Sequence, residues 1–554
     1  MTYISFNGIS NRYPSRRSVV YGKHGMVCTS QTLAAQAGLD VLKKGGNAID
    51  AAIATAISLT VLEAPSNGIG SDLFALVWHQ GKLYGLNGSG PAPMGITREA
   101  VLEKIACGHD GKGADGKIQA LSGSSMPESG WEPVTIPGAP AAWKELHEKF
   151  GAADFKTLFD AAIRYAEEGF PLQPICSHLW QKNAQKVAAL EHEALYQPLL
   201  DTFFRGKHFE PGQLMRIPEM GKTLRKLAES GCASFYQGDI AREIVNFSKT
   251  TGGYLTEEDL RSYRPEWVEP IRLNYRGYEV CEIPPNCHGL VVLMALNILK
   301  HLPLAEKESP ETVHKQLEAM KMGYTDGKSY IADPRYMKAD VNYFLSDDYG
   351  RKRAAEIGDK AVLPRPVDLN CGGTVYLCTA DAEGNMVSLI QSHFHNFGSK
   401  LAVPGTGILL NNRGNNFSLD PAHDNCLAPG KKPYHTIIPG FLLKDGEAVG
   451  PFGVMGGFMQ PQGQVQVVNN LVDFALNPQE ALDAPRWQWV GGKTIEIEAA
   501  FDEAIVADLK ERGHDIKVMQ DFTSFGRGQI ILRQPDGVYA AATEPRADGV
   551  VAAW

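Results

Sequence analysis

The sequence predicts an α+β fold, with helices layered on stacked antiparallel sheets. Two observations carry that prediction. Helical apolar spacing fills the first two thirds of the chain, and strand and hairpin signals dominate after residue 374. No internal repeat interrupts the pattern. Residues 31–46 place Leu33, Ala34, Ala37, Leu39 and Leu42 at helical spacing and stop at Gly45-Gly46. A second helix is expected from Ala48 to Leu62, ending before Pro65. Leu73 to Trp78 and Lys82 to Leu86 read as two strands joined at Gln80-Gly81. Residues 106–130, rich in Gly, Ser and charge, read as an exposed insertion loop. Helical spacing returns from Pro140 to Lys186, and Thr256-Glu257-Glu258-Asp259-Leu260 has the form of an N-cap with a carboxylate-rich first turn. Beyond residue 374, hairpin turns are expected at Glu383-Gly384-Asn385, Lys444-Asp445-Gly446 and Pro535-Asp536-Gly537.

Composition narrows the function classes. The 554 residues are 44% hydrophobic and 21% charged, an ordinary globular balance, and length alone would allow three or four domains. The net charge is -9 and no Lys/Arg-rich run appears, so nucleic acid is not expected as a partner. The start, Met1-Thr2-Tyr3-Ile4-Ser5-Phe6-Asn7, lacks the basic and apolar regions of a signal peptide. The longest small-apolar run, Ala51 to Val61, is too short to span a bilayer, so no membrane association is expected. Nine cysteines at irregular spacings read as reduced, mostly buried thiols of a cytoplasmic protein.

The stretch with the most chemistry is Gly372-Gly373-Thr374, directly ahead of the β-formers Val375-Tyr376-Leu377. A threonine hydroxyl there can attack the carbonyl of its own preceding peptide bond, and glycine tolerates the strained backbone such an attack requires. Cleavage would leave Thr374 as an N-terminus whose hydroxyl is nucleophile and whose α-amine is base. Most Gly-Gly-Thr steps are simple turns; the surrounding blocks set this one apart. Gly456-Gly457, at an expected strand-to-helix transition, can expose amides to a substrate, though the same pair also suits a tight turn. His393 and His395 are expected to share one strand face, but no third ligand at metal-site spacing follows them. His393 is expected to border the active site instead. Gly68-Ile69-Gly70-Ser71-Asp72 stops short of a dinucleotide fingerprint, and Trp487 and Trp489 read as core. No metal and no organic cofactor is expected.

Several blocks resemble the γ-glutamyltransferase (glutathione hydrolase) family. They are Gly45-Gly46-Asn47-Ala48-Ile49-Asp50-Ala51-Ala52 with Asn67-Gly68-Ile69-Gly70, Gly253 to Leu260 with Tyr275-Arg276-Gly277-Tyr278, Glu318-Ala319-Met320-Lys321, Gly407 to Asn412, Ala484-Pro485-Arg486 and Pro545 to Gly549. With Gly456 to Gly463, the pattern is most similar to the signal-less bacterial branch that includes glutathione-hydrolase-like proteins of bacilli and oxamate amidohydrolases. The resemblance implies an N-terminal-nucleophile hydrolase: a four-layer αββα sandwich, made as a proenzyme and self-cleaved between Gly373 and Thr374. Residues 1–373 and 374–554 would be large and small subunits of one intertwined domain, a heterodimer open to further dimerisation.

The resemblance also implies roles. Thr374 falls on the nucleophile, Ser392 on the hydroxyl residue that supports it, and Gly456 and Gly457 on the oxyanion-binding pair. The acyl pocket departs from the family pattern. The arginine that grips a glutamyl α-carboxylate is replaced by Ser89, and the aspartate that binds the α-amino group by Asn416. A glutamine becomes Arg413, and paired serines become His435 and Thr436. The stretch between Phe417 and Pro433 is shorter than the family's lid region. Arg413 supplies a cation suited to a carboxylate near the scissile amide, and a structural ion pair is the competing role. The expected activity is amide cleavage, with transfer also open, through a threonyl acyl-enzyme on a small, carboxylate-bearing amide. Candidate substrates are a γ-glutamyl compound, a small amide acid of the oxamate type, or an acylated β-lactam. A catalytically silent, unprocessed binding protein is the rival from another class.

Overall fold

The computed structural model describes residues 17–106, 125–364, 369 and 372–554. Most of the expected insertion loop therefore lies outside the described residues. Two seven-stranded antiparallel sheets dominate. In spatial order, the first contains Val20–Gly22, Tyr539–Thr543, Arg527–Arg533, Glu447–Met455, Gly440–Lys444, Tyr278–Glu282 and Ile271–Tyr275. The second contains Val550–Ala553, Gly25–Thr29, Gly373–Asp381, Met386–Phe394, Asp72–His79, Lys82–Gly88 and Glu266–Val268. The sheets pack face to face: a Cβ placed on Gly453 of the first would lie 2.5 Å from the Tyr376 ring of the second, so only a bare backbone fits.

Alternation along Gly373–Asp381 builds the layers. Val375 and Leu377 join the core beneath helix Ala48–Leu62, while Tyr376, Cys378 and Ala380 join the core between the sheets. Helix Ala48–Leu62 is buried all round. Its N-terminus is pinned to the sheet, where Ala48 N–H donates to Asp381 Oδ2 (2.8 Å) and Thr379 Oγ1 donates to Ala48 O (2.7 Å). Gly289–Leu299, Pro310–Tyr330 and Met459–Val472 contribute to the second core, outside the other sheet. The result is the expected four-layer αββα sandwich.

The order of elements along the chain differs from expectation. Each sheet draws strands from both sides of residue 373, and helices Met459–Val472, Pro478–Asp483 and Glu503–Glu511 lie in the last third. Strands buried on both faces lack the polar alternation that marks a half-exposed strand, so their sheet membership is not legible locally. The turns are better signalled. His79 pairs with Lys82 across Gln80-Gly81, and Lys444 with Glu447 across Asp445-Gly446, each turn pair having positive φ. Thr256 caps its helix with a capping box closed by Asp259. Trp487 and Trp489 are buried core, as expected. Among the described residues no helix is long and apolar enough to cross a membrane.

Candidate active site

The strand Gly373–Asp381 enters the second sheet through a register irregularity. Gly373 pairs with Phe394, while Val375 pairs with Gln391, and Phe394 takes φ 85°. Such bulges re-aim side chains, and here they converge hydroxyls on one carbonyl. Ser392 Oγ donates to Gly373 O (2.7 Å) and accepts from Phe394 N–H (2.8 Å). Thr374 Oγ1 lies 2.7 Å from the same oxygen and 3.1 Å from Ser392 Oγ. Gln460 Nε2 approaches Thr374 Oγ1 at 3.4 Å, while its Oε1 accepts from Ile438 N–H at 3.0 Å. Gly373 has no room for a side chain, since a Cβ would come 2.1 Å from Asn396 Oδ1. Thr374 is 1% exposed.

Gly456 and Gly457 link strand Glu447–Met455 to helix Met459–Val472, with φ 138° and 60°. Both angles disfavour side chains. Their carbonyls accept the first helical amides, Met459 N–H (3.0 Å) and Gln460 N–H (3.2 Å). The glycine pair and Gln460 therefore belong to one turn beside Thr374.

A charged cluster lies next to this row. Arg413 opens the 3-10 turn Arg413–Asn416 and is fully buried. Its Nη1 donates to Thr436 Oγ1 (2.6 Å), its Nε lies 3.4 Å from Asp72 Oδ2, and its guanidinium sits 4.7 Å over the Phe394 ring. Nη2 has no hydrogen-bond partner, and neither does the buried Nδ2 of Asn416. Residues three apart on a 3-10 turn eclipse one another, so the two side chains leave the same side of the turn. Burial lowers Arg413 to about 10. His435 Nε2 is 3.0 Å from Asp72 Oδ2, and burial together with Arg413 pushes this imidazole far below its usual range. Asp72 is itself raised to about 7, because burial outweighs the attraction of Arg413.

The remaining expected residues take other places. Ser89 is buried in a polar network, its Oγ donating to Asn87 Oδ1 (2.6 Å), and Asn286 Nδ2 ties that network to Pro433 O (2.8 Å). His393 packs on Gly68, where a Cβ would come 2.6 Å from Nε2; burial lowers it to about 3, so the ring is neutral. His395 falls beyond the strand, which ends at Phe394, and Nδ1 lies 3.0 Å from Asn412 Nδ2 and 3.3 Å from Glu128. The two histidines do not share a strand face, because the positive φ of Phe394 turns the chain between them. Among the described residues, the group with metal-ligand proximity is His314, Glu318 and His514, whose ligand atoms lie within 4.8 Å. There Lys321 Nζ donates to Glu318 (2.7 Å) and the two imidazoles meet at 2.9 Å, so the cluster satisfies itself. Sequence reasoning missed Asp72 and Gln460. An acid directly ahead of the apolar run Leu73 to Trp78 was the available signal for Asp72.

Two face-to-face sheets between helical layers, with a threonine opening a central strand, define the N-terminal-nucleophile hydrolase class. The chain belongs to the gamma-glutamyltranspeptidase family, whose model matches residues 34–554. It is 34% identical to the glutathione hydrolase-like YwrD proenzyme of Bacillus subtilis, over 96% of this chain and 98% of that protein. It is 32% identical to the oxamate amidohydrolase proenzyme of Klebsiella pneumoniae, with the same coverage of 96% and 98%. A cephalosporin acylase from Bacillus halodurans superposes with a TM-score of 0.93 at 54% identity, covering 100% of this chain and 99% of that one. The protein is an amidohydrolase of this superfamily.

Proposed function

We propose that the chain is a self-processing N-terminal threonine hydrolase for amides that carry a carboxylate near the scissile bond. In the precursor, Thr374 Oγ1 attacks the Gly373 carbonyl. The acyl group shifts from nitrogen to oxygen, and water hydrolyses the ester to give subunits 1–373 and 374–554. The geometry at Gly373 supports this reading: Thr374 Oγ1 lies beside the carbonyl it would attack, and Ser392 Oγ donates to the oxygen on which charge develops. In the mature enzyme the freed α-amine takes the Thr374 proton, Gly456 and Gly457 hold the oxyanion, and an acyl-enzyme forms. Water resolves it, or an amine in a transfer reaction.

The observation that carries the substrate class is the pair of buried, unpartnered donors on one turn, Arg413 Nη2 and Asn416 Nδ2. Donors without acceptors suit an anion. The names of the oxamate amidohydrolase and the acylase fit amides of this kind. The 54% identity to the acylase favours a second reading within the class, an amide whose leaving group is a bulkier amine. Thr436 holds Arg413 directly, His435 meets its partner Asp72, and Ser89 belongs to the Asn87–Asn286 network. The seven cysteines among the described residues are free thiols, which suits a reducing cytoplasm.

The test compares Arg413→Ala with the unaltered enzyme on matched acidic and neutral amides, including oxamate, γ-glutamyl-p-nitroanilide and an acylated β-lactam. The expected loss is roughly 2–4 kcal/mol in kcat/KM on the acidic amides only. Equal loss on both kinds would make Arg413 structural.

A further inference from the structure

Asp72 is the one acid in the strand Asp72–His79 and pairs in register with Ser392. Residues directly opposite share a face of the sheet, so Asp72, Ser392 and Thr374 form a row across three neighbouring strands. Asp72 has few partners for a fully buried carboxylate: Gly90 N–H at 3.3 Å on Oδ1, and His435 Nε2 at 3.0 Å and Arg413 Nε at 3.4 Å on Oδ2. Arg413 has no other acidic partner among the described residues. Arg413 is thus the cation in contact with Asp72, with Lys432 acting on it from further away, and Arg413 still has Nη2 free.

A ligand carboxylate on Nη2 would set two anions against that single cation. Two carboxylates sharing a desolvated site do not both stay ionised. The other groups facing Asp72 do not supply the missing charge. His435 is held neutral by burial and by Arg413, and the phenols of Tyr236 and Tyr263 are pushed far up by burial. Lys432 attracts Asp72 only through space, more weakly than Arg413, and its own ion pair is with Glu266 at 2.8 Å.

We propose that Asp72 and Arg413 form a proton-linked carboxylate receptor, in which a carboxylate seated on Arg413 Nη2 is bound together with one proton taken up at Asp72. The proposal rests on Arg413 as the carboxylate-binding group. The raised position of Asp72, about 7, places the event near neutral pH. Once protonated, Asp72 no longer neutralises Arg413, and its O–H can donate to the incoming anion. Above the Asp72 midpoint, affinity for the carboxylate falls about tenfold per pH unit.

The experiment is calorimetric titration of the processed enzyme with propionate, butyrate and valerate, with the matching alcohols as neutral controls. Buffers of different ionisation enthalpy, from pH 6 to 8.5, read proton uptake directly. The expected result is uptake of about one proton per carboxylate bound above pH 7, with none for the alcohols. Asp72→Asn should bind the acids without proton uptake and without pH dependence, and Arg413→Gln should lose selectivity for acid over alcohol. Carboxylate binding to the unaltered enzyme with no proton uptake overturns the proposal and leaves the Arg413 reading standing. If acids and alcohols bind alike, both fall. The freed α-amine of Thr374 also titrates near neutral pH, so the same titration of the unprocessed Thr374→Ala chain, which has no such amine, decides the matter if Asp72→Asn fails to fold. Uptake that persists there supports Asp72, and uptake that vanishes overturns the proposal.

Discussion

The row around Thr374 and the pocket around Arg413 lie side by side and are built from opposite materials. The first holds two hydroxyls, a carboxamide and backbone groups, with no formal charge among Thr374, Ser392, Gly373 and Gln460. The second buries a guanidinium, a carboxylate and an imidazole against one another. In the proposed reaction the uncharged row serves peptide-bond attack, which meets the same carbonyl in every molecule. The charged pocket serves selection, where a buried cation rewards one kind of ligand and penalises others. Processing and specificity should therefore separate under mutation.

The largest expected effect is at the nucleophile. Thr374→Ala should remain one full-length chain and Thr374→Ser should still divide, read by gel and by N-terminal sequencing of the small fragment. Division of the alanine variant would remove Thr374 from the chemistry. Next is Gly456→Ala, where φ 138° suits glycine alone and a new Cβ would lie 3.2 Å from Gly526 Cα. Its kcat should fall by about 10²–10³ on acidic and neutral amides alike, the scale of losing an oxyanion donor. A loss confined to acidic substrates would blur the boundary between the two regions.

Ser392→Ala removes one of the two hydroxyls on Gly373 O. It should slow self-cleavage about ten- to a hundredfold, a loss of roughly 1–3 kcal/mol, measured by the rate at which purified precursor divides. Unaltered processing would assign Ser392 to packing. The smallest effect belongs to Asn416→Asp, which trades a free donor for an anion beside Arg413. Turnover of acidic amides should drop about five- to tenfold in kcat/KM, with neutral amides and self-cleavage little changed. A gain on acidic amides would mean the substrate carboxylate sits elsewhere.

The two regions also differ in how far the sequence betrayed them. Thr374 was legible because the nucleophile and the bond it would attack are covalent neighbours, so the chemistry is written in consecutive residues. Gly456-Gly457 was legible for a similar reason: the strand-to-helix turn it forms is local. Arg413, Asn416, His435 and Thr436 stood out only through departures from a family pattern. Asp72 and Gln460 escaped notice because each gains its meaning from a distant partner: Arg413 lies 341 positions from Asp72, and Thr374 lies 86 positions from Gln460.

By itself, the sequence determined the fold class, the hairpin turns, the capped helices and the Gly373–Thr374 step, because each depends on residues within about one turn or one hairpin. The tertiary structure decided the rest. It drew strands from both sides of residue 373 into each sheet, bent the chain at Phe394 so that Ser392 faces Gly373 O, and buried Asp72 against Arg413. Burial is the physical reason. A carboxylate or a guanidinium acquires its charge state and its free donors from what surrounds it, and those surroundings exist only once distant segments have packed together.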